Sequence, residues 1–249
     1  MFLFQVPPPT RFDLNFSVAG IRVRVHPLFW VIALLLGTGS TNLLYIAIAI
    51  FVIFVSILVH ELGHAFAFRR FGQDSYIILH MMGGLTVPEA TPWGDSYAQV
   101  RLTPNQNIFI SLAGPIAGFL LALAIILLGV GLGGSFIVTL LLGFIPIPSV
   151  ILPYEFGTLD RVFALFVFIN FFWGFVNLLP VFPLDGGNVA RYTLIQTDPI
   201  NGLRNSLWLS VITGALIAVA GFILLNSLYM AFLFGYLAFQ SYQALQYRF

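Results

Sequence analysis

Long apolar runs, unbroken by charge over most of their length, constrain this chain more than any other feature. Runs such as Leu43 to Phe68 and Ile108 to Val130 exceed the roughly 20 apolar residues a helix needs to cross the hydrocarbon of a bilayer. They do not alternate apolar with polar, so they fit membrane helices rather than the strands of a barrel. Composition agrees: 59% of the 249 residues are hydrophobic and 8% are charged, with a mean hydropathy of +0.99, whereas a soluble domain carries about 25% charge. Too few charges remain to coat a water-exposed surface, and the fold expected is an all-α polytopic membrane protein. There is no cysteine. That excludes a disulfide framework, a thiolate metal site and a cysteine nucleophile; any metal would rest on His, Asp, Glu or backbone oxygen.

About six transmembrane helices suggest themselves. The first covers roughly Leu28 to Leu36 and is short unless it extends through Gly37 to Leu43. The others cover roughly Leu43 to Phe68, Ile108 to Val130, Val162 to Leu179, Leu207 to Leu225 and Leu228 to Leu245. Ahead of them, Phe16 to His26 alternates: Ile21, Val23 and Val25 share one face of an extended strand, and Arg22, Arg24 and His26 the other. Ala19-Gly20 is placed to turn a hairpin, and Pro27 to end it. Phe136 to Leu152 is apolar but broken at Pro146 and Pro148, and reads as a re-entrant or interfacial piece. The first residues do not read as a signal peptide, because Pro7 to Pro9 interrupt them and no adequate apolar region precedes. All ten basic residues are arginine. With six helices both termini share one side, and Arg11, Arg22, Arg24, Arg69, Arg70, Arg101, Arg191, Arg204 and Arg248 fall there, with Arg161 alone opposite. The excess of positive charge makes that side the cytoplasm.

The second helix contains His60-Glu61-Leu62-Gly63-His64. On an α-helix residues i and i+4 stand nearly one above the other. Two imidazoles so spaced can hold one zinc ion, with Glu61 beside them to take a proton from water. With four His and three Glu in the chain, chance would produce roughly 0.0008 such motifs, so coincidence is a poor account of it. Ionisable groups in an apolar helix also cost several kcal/mol and are by default functional. Counted back from Arg69 at 1.5 Å per residue, the site lies roughly 7–14 Å inside the arginine level.

A catalytic zinc site takes a third protein ligand. Asp185 is the only acidic residue between Arg161 and Arg191. Pro180 and Pro183 break the helix before it, and Gly186-Gly187 permits tight turns, so an irregular segment lining a cavity is expected there. The second and fourth helices run in the same direction, with His64 five residues before its arginine and Asp185 six before Arg191. Similar depth makes Asp185 the candidate third ligand.

Together these residues resemble the site-2 protease family of intramembrane zinc metalloproteases. The resemblance rests on the motif from His60 to His64 and on Asn177 to Gly187, with Leu184-Asp185-Gly186-Gly187 at its end. It extends to Gly20 through Pro27, to Gly83-Gly84, and to Ala113-Gly114-Pro115-Ile116-Ala117-Gly118. It implies that His60, His64 and Asp185 are zinc ligands and that Glu61 is the general base. It assigns Asn177 to substrate or oxyanion binding, although an amide there also suits helix packing. Tyr76 to Val87 resembles the family's membrane-associated β-hairpin. A substrate strand could pair along it near Gly83 and Gly84, or it could be an ordinary interfacial hairpin. His80 and His26 read as interfacial and strand-end residues rather than as ligands. Ala113 to Gly118 reads as a small-residue packing stripe.

The implied activity is regulated hydrolysis of a peptide bond in or near transmembrane segments of partner membrane proteins, with one zinc ion and no nucleic acid. The whole of 1–249 reads as one intramembrane metalloprotease domain: an extended segment 1–27, the ligand helix 43–68, a hairpin region 73–90 and the helix and third-ligand loop 162–187. About 30 residues from Gly131 to Arg161 leave no room for a PDZ domain, and no nucleotide-sensing domain is expected after the sixth helix. That compact form points to a prokaryotic cell membrane. Two rival readings use the same residues: a metal transporter with a transit site at His60, Glu61, His64 and Asp185, and an inactive relative serving as a membrane chaperone or scaffold. The outer halves of the helices offer a transporter almost no further ligands, and every expected catalytic residue is present.

Overall fold

The computed structural model describes residues 6–37, 42–89, 101–141, 143 and 145–248. The extended segment before Pro27 is a hairpin, β1 (Leu14–Val18) and β2 (Ile21–Val25), paired antiparallel from Val18↔Ile21 to Leu14↔Val25. Ala19 and Gly20 turn it at φ 49° and 79°, the left-handed pair that suits strand twist. Ile21, Val23 and Val25 are buried and Arg22 is exposed, as the alternation requires. β3 (Ser75–His80) pairs parallel with β2, and β4 (Gly83–Pro88) antiparallel with β3, so the sheet runs β1-β2-β3-β4 with β4 at its edge. The hairpin read over Tyr76 to Val87 is therefore present. It bends at Met81-Met82, and Gly83-Gly84 open its second strand.

The helices are α1 (Pro27–Gly37), α2 (Leu43–Arg70), α3 (Pro104–Gly131), α4 (Thr158–Asn177), α5 (Asp185–Thr197), α6 (Gly202–Ile223) and α7 (Leu228–Arg248). They fall into two compact units. One holds the sheet, α1, α2, α3 from Ala113 and α4 up to Gly174; the other holds α3 up to Leu112 and the chain from Phe175.

In the first unit, α2 starts where the Asn42 side chain accepts the Leu44 N–H at 2.9 Å, an N-cap. One face of α2, with Ile53, Ile57 and Ala65, forms a single core with Phe29 and Ala33 of α1 and with Val23, Val25, Ile77 and Leu79 of the sheet. At its far end the Arg69 guanidinium donates to the Ala19 carbonyl at 2.7 and 3.2 Å. The sheet thus sits at the C-terminal end of α2, and the chain from Pro27 to Leu43 has to travel back along the helix.

α4 lies beside α2 and runs the same way. Arg161 stacks over the Tyr45 ring at 4.1 Å, and Asn170 Nδ2 donates to Ser56 Oγ at 2.8 Å. α3 opposes α4: a Cβ on Gly174 would meet Phe119, and one on Gly129 would meet Phe163. The small stripe on α3 packs as read, since a Cβ on Gly63 of α2 would strike Ala113 and Ala117.

The stretch from Phe136 to Leu152, read as a re-entrant or interfacial piece, is a β-hairpin of β5 (Ser135–Leu141) and β6 (Ile145–Ile151). Pro146 and Pro148 are two apart, so both lie on the same edge of β6, and each lacks only an outward N–H. Among the described residues four helices are long and apolar enough to cross a membrane by length and composition, α2, α3, α4 and α6; α1 and α7, the first and last of the six spans expected from sequence, do not meet that measure over their described residues. α1 has 11 residues, about 16 Å, and its possible extension through 38–41 lies outside the described residues. α7 has 21 residues, but Gln240, Gln243 and Gln246 dilute its second half.

In the second unit α6 and α7 form an antiparallel pair. A Cβ on Gly214 would meet Ala238, and one on Gly221 would meet Met230. Ser210 Oγ donates to the Ser206 carbonyl at 2.9 Å and accepts the Phe182 N–H at 3.0 Å, fastening the segment after α4 to α6.

His80, at the end of β3, is buried within the protein. Its Nδ1 accepts the Met82 N–H at 3.4 Å. Burial first, then the neighbouring His26 and Arg24, push its pKa down to about 4. The folded protein holds His80 neutral where the unfolded chain would protonate it. Between pH 6.5 and 4 the unfolded state therefore binds more protons, and stability falls as the pH drops through that window. The loss is at most about 3 kcal/mol. Thermal unfolding in detergent from pH 7 to 4.5 should show this fall, and His80→Leu should flatten it; an unchanged slope would refute the assignment.

Candidate active site

His60 and His64 stand one helical turn apart on α2, both buried, at 4% and 7% exposure. Their Nε2 atoms are 3.2 Å apart and their rings meet edge to face, with centroids at 4.9 Å. A tetrahedral zinc ion with Zn–N bonds of about 2.05 Å holds two nitrogens about 3.3 Å apart. The imidazole pair matches that bite, so the donor set present fits a zinc ion.

What makes room for the pair is a glycine on the facing helix. A Cβ on Gly114 of α3 would run into His64 Nε2 and come within 2.8 Å of His60 Nε2. The packing stripe from Ala113 to Gly118 thus has a second task, clearance over the imidazoles. The sequence reading missed this, because one more small residue in an Ala/Gly stripe gives no separate signal.

Glu61 is also buried, at 5% exposure. The edge strand β4 lies against it: a Cβ on Gly84 would collide with its carboxyl group. Two residues on, and so on the same face, Thr86 Oγ1 lies 2.7 Å from Glu61 Oε2 and 3.1 Å from the Glu61 carbonyl. Thr86 was not picked out from sequence, although a small and a hydroxylated residue at i and i+2 of a strand are a readable hint. Gly83 points the other way, and a Cβ there would approach Trp173 at 3.3 Å.

Asn177 and Asp185 belong to the second unit. Asn177 is the last residue of α4 and is buried. Asp185 is half-buried and does not sit in an irregular loop: it is the first residue of α5. The amide end of a helix is a favourable place for a carboxylate. Gly186 and Gly187 serve close packing rather than a turn. A Cβ on Gly186 would strike the Leu178 and Leu179 carbonyls, and one on Gly187 the Val181–Phe182 backbone, so α5 can start only against the segment that precedes it.

An H-E-x-x-H helix, a small mixed sheet at its end and, among the described residues, four helices long and apolar enough to cross a membrane point to the metalloprotease class. The sequence profile of peptidase family M50 matches residues 48–220, and the chain belongs to this family, that of the site-2 proteases. A zinc metalloprotease of Methanocaldococcus jannaschii is 22% identical over 227 residues, covering 87% of this chain and 58% of its own length. Stage IV sporulation protein FB of Bacillus subtilis is 26% identical over 204 residues, covering 78% of this chain and 57% of its own length. The chain thus spans little more than half of these relatives. The solved site-2 protease from Methanocaldococcus jannaschii shares the fold, with a TM-score of 0.55 at 20% identity over 94% of this chain and 95% of that one.

Gly114→Ala tests the clearance over the imidazoles. The variant should lose most of its bound zinc by elemental analysis while keeping its helical circular dichroism. Full zinc occupancy would show that α3 does not shape the metal-binding face.

Proposed function

We propose that this protein is an intramembrane zinc endopeptidase that cuts a peptide bond in or near transmembrane segments of other membrane proteins. The observation that carries the proposal is the buried imidazole pair at zinc bite distance, flanked by a buried glutamate, on a helix apolar enough to span a bilayer. Family membership supports the hydrolase class. His60, His64 and Asp185 would hold the ion; they are a set of metal-ligating type among the described residues, and two imidazoles with one carboxylate leave a position open for reaction. The chemistry a bound zinc supplies is Lewis-acid polarisation of the peptide carbonyl and a lowered pKa for water.

The protein's own groups do the rest. Glu61 takes the proton of the attacking water and later delivers it to the leaving amine. Asn177 donates to the developing oxyanion. The edge strand β4, beginning at Gly83 and Gly84, receives an unwound stretch of substrate by strand addition, which places a peptide bond beside Glu61. The bilayer is crossed six times, with α1 and its continuation as the first pass and α7 as the last. Two features support this count: the tie between Arg69 and Ala19 requires a return along α2, and α7 runs back along α6. The termini and the arginine-rich ends are then cytoplasmic, in a prokaryotic membrane, with the whole chain acting as one protease domain in regulated proteolysis.

The purified protein in liposomes, offered a panel of single-span membrane proteins, should cut within spans. Glu61→Gln should lower the rate by about 100-fold or more with zinc retained, and Asp185→Ala should lose zinc as well as activity. Equal cutting by Glu61→Gln would remove the mechanism, and full zinc content in Asp185→Ala would remove the third ligand.

A further inference from the structure

We infer that Thr86 is a positioning residue for Glu61, and that through it the edge strand β4 holds the catalytic carboxylate in its working orientation. The inference rests on the proposed role of Glu61 as proton acceptor, and deepens it. A threonine hydroxyl has one proton to give. At 2.7 Å from Oε2 against 3.1 Å from the backbone carbonyl, the carboxylate is its better acceptor, and a charged acceptor makes the stronger bond. Glu61 has three side-chain rotors, and the hydrogen bond to its carboxylate comes from β4. The Thr86 bond anchors Oε2, while Gly84 admits the carboxyl group by its missing Cβ. Oε1 then lies against Gly84, the second residue of the strand at the edge of the sheet.

Gly84 and Thr86 act as a pair. One leaves the space and the other supplies the tether, two residues apart on one face of one strand. β4 is itself anchored along its length by β3, with Leu79 opposite Gly84 and Ile77 opposite Thr86, both buried. The position of Glu61 is thereby referred to the sheet, so a substrate strand added to β4 would meet a base already aimed.

The test uses the full-length protein in detergent and liposomes. Thr86→Val keeps the β-branched shape and removes the hydroxyl; Thr86→Ser keeps the hydroxyl. On a single-span substrate cut by the wild type, Thr86→Val should lower kcat by about 10-fold or more with KM and zinc content unchanged, and Thr86→Ser should restore it. A second readout needs no activity: Thr86→Val should lower the thermal midpoint in the wild-type background and leave it unmoved when Glu61 is replaced by Met. Retained kcat in Thr86→Val, or equal loss in Thr86→Ser, overturns the inference. If the wild type shows no cleavage that depends on Glu61, the protease reading fails and the midpoints alone decide: a shift confined to the Glu61 background upholds the contact, and equal shifts in both overturn it.

Discussion

A helix that carries two imidazoles and a carboxylate through an apolar environment has to give each a partner or a purpose, because unpaired polar groups there cost several kcal/mol apiece. The packing around α2 answers that constraint residue by residue. The imidazole edges converge on each other at 3.2 Å beneath a glycine of α3. The carboxylate meets a hydroxyl from the sheet. One turn earlier, Ser56 is met by Asn170, whose amide also donates to the Phe166 carbonyl. The same helix is apolar on the side that faces α1 and the sheet. Its polar stripe is therefore a designed interior, and the neighbouring helices are selected for what they leave out as much as for what they touch.

That logic explains why glycine recurs where side chains might be expected. At Gly63 and Gly114 the missing Cβ sets how close α2 and α3 come, and at Gly84 it sets how close the sheet comes to Glu61. A close approach excludes lipid and water and shortens polar contacts. The sheet is not decoration on a helical protein. Held to the end of α2 by Arg69, it reaches back along the helix to Glu61 through β4, so Glu61 and the strand beside it belong to one compact unit.

Much of this was legible in the sequence, for physical reasons that differ from place to place. The spacing of His60 and His64 needed only the period of a helix, and the buried Ile21, Val23 and Val25 only the period of a strand. β5 and β6 were not legible, because both faces of that hairpin are apolar, which erases the alternation, and because its two prolines look like helix breakers until strand pairing shows both on one edge. α5 was hidden in the same way. Gly186-Gly187 reads as a turn, and only the backbone of Leu178 to Phe182 pressing on it shows that a helix begins there with no room for side chains. Thr86 was harder to read: the pairing of Gly84 with Thr86 on one strand face hints at it, but its meaning lies in a contact with a residue 25 positions away.

The crossing count shows how composition and connectivity can disagree. By length and hydropathy alone four helices qualify, and four crossings from α2 onward would leave the residues before α2 on the side opposite Arg69. The hydrogen bonds between Arg69 and Ala19 tie the turn between β1 and β2 to the end of α2, which supports the proposed six crossings over four. The 11 residues of α1 cannot span about 30 Å as a helix alone, so α1 by itself does not make the first of the proposed crossings. A hydropathy window scores helices one at a time, whereas a hydrogen bond between two distant residues fixes the side on which each must lie.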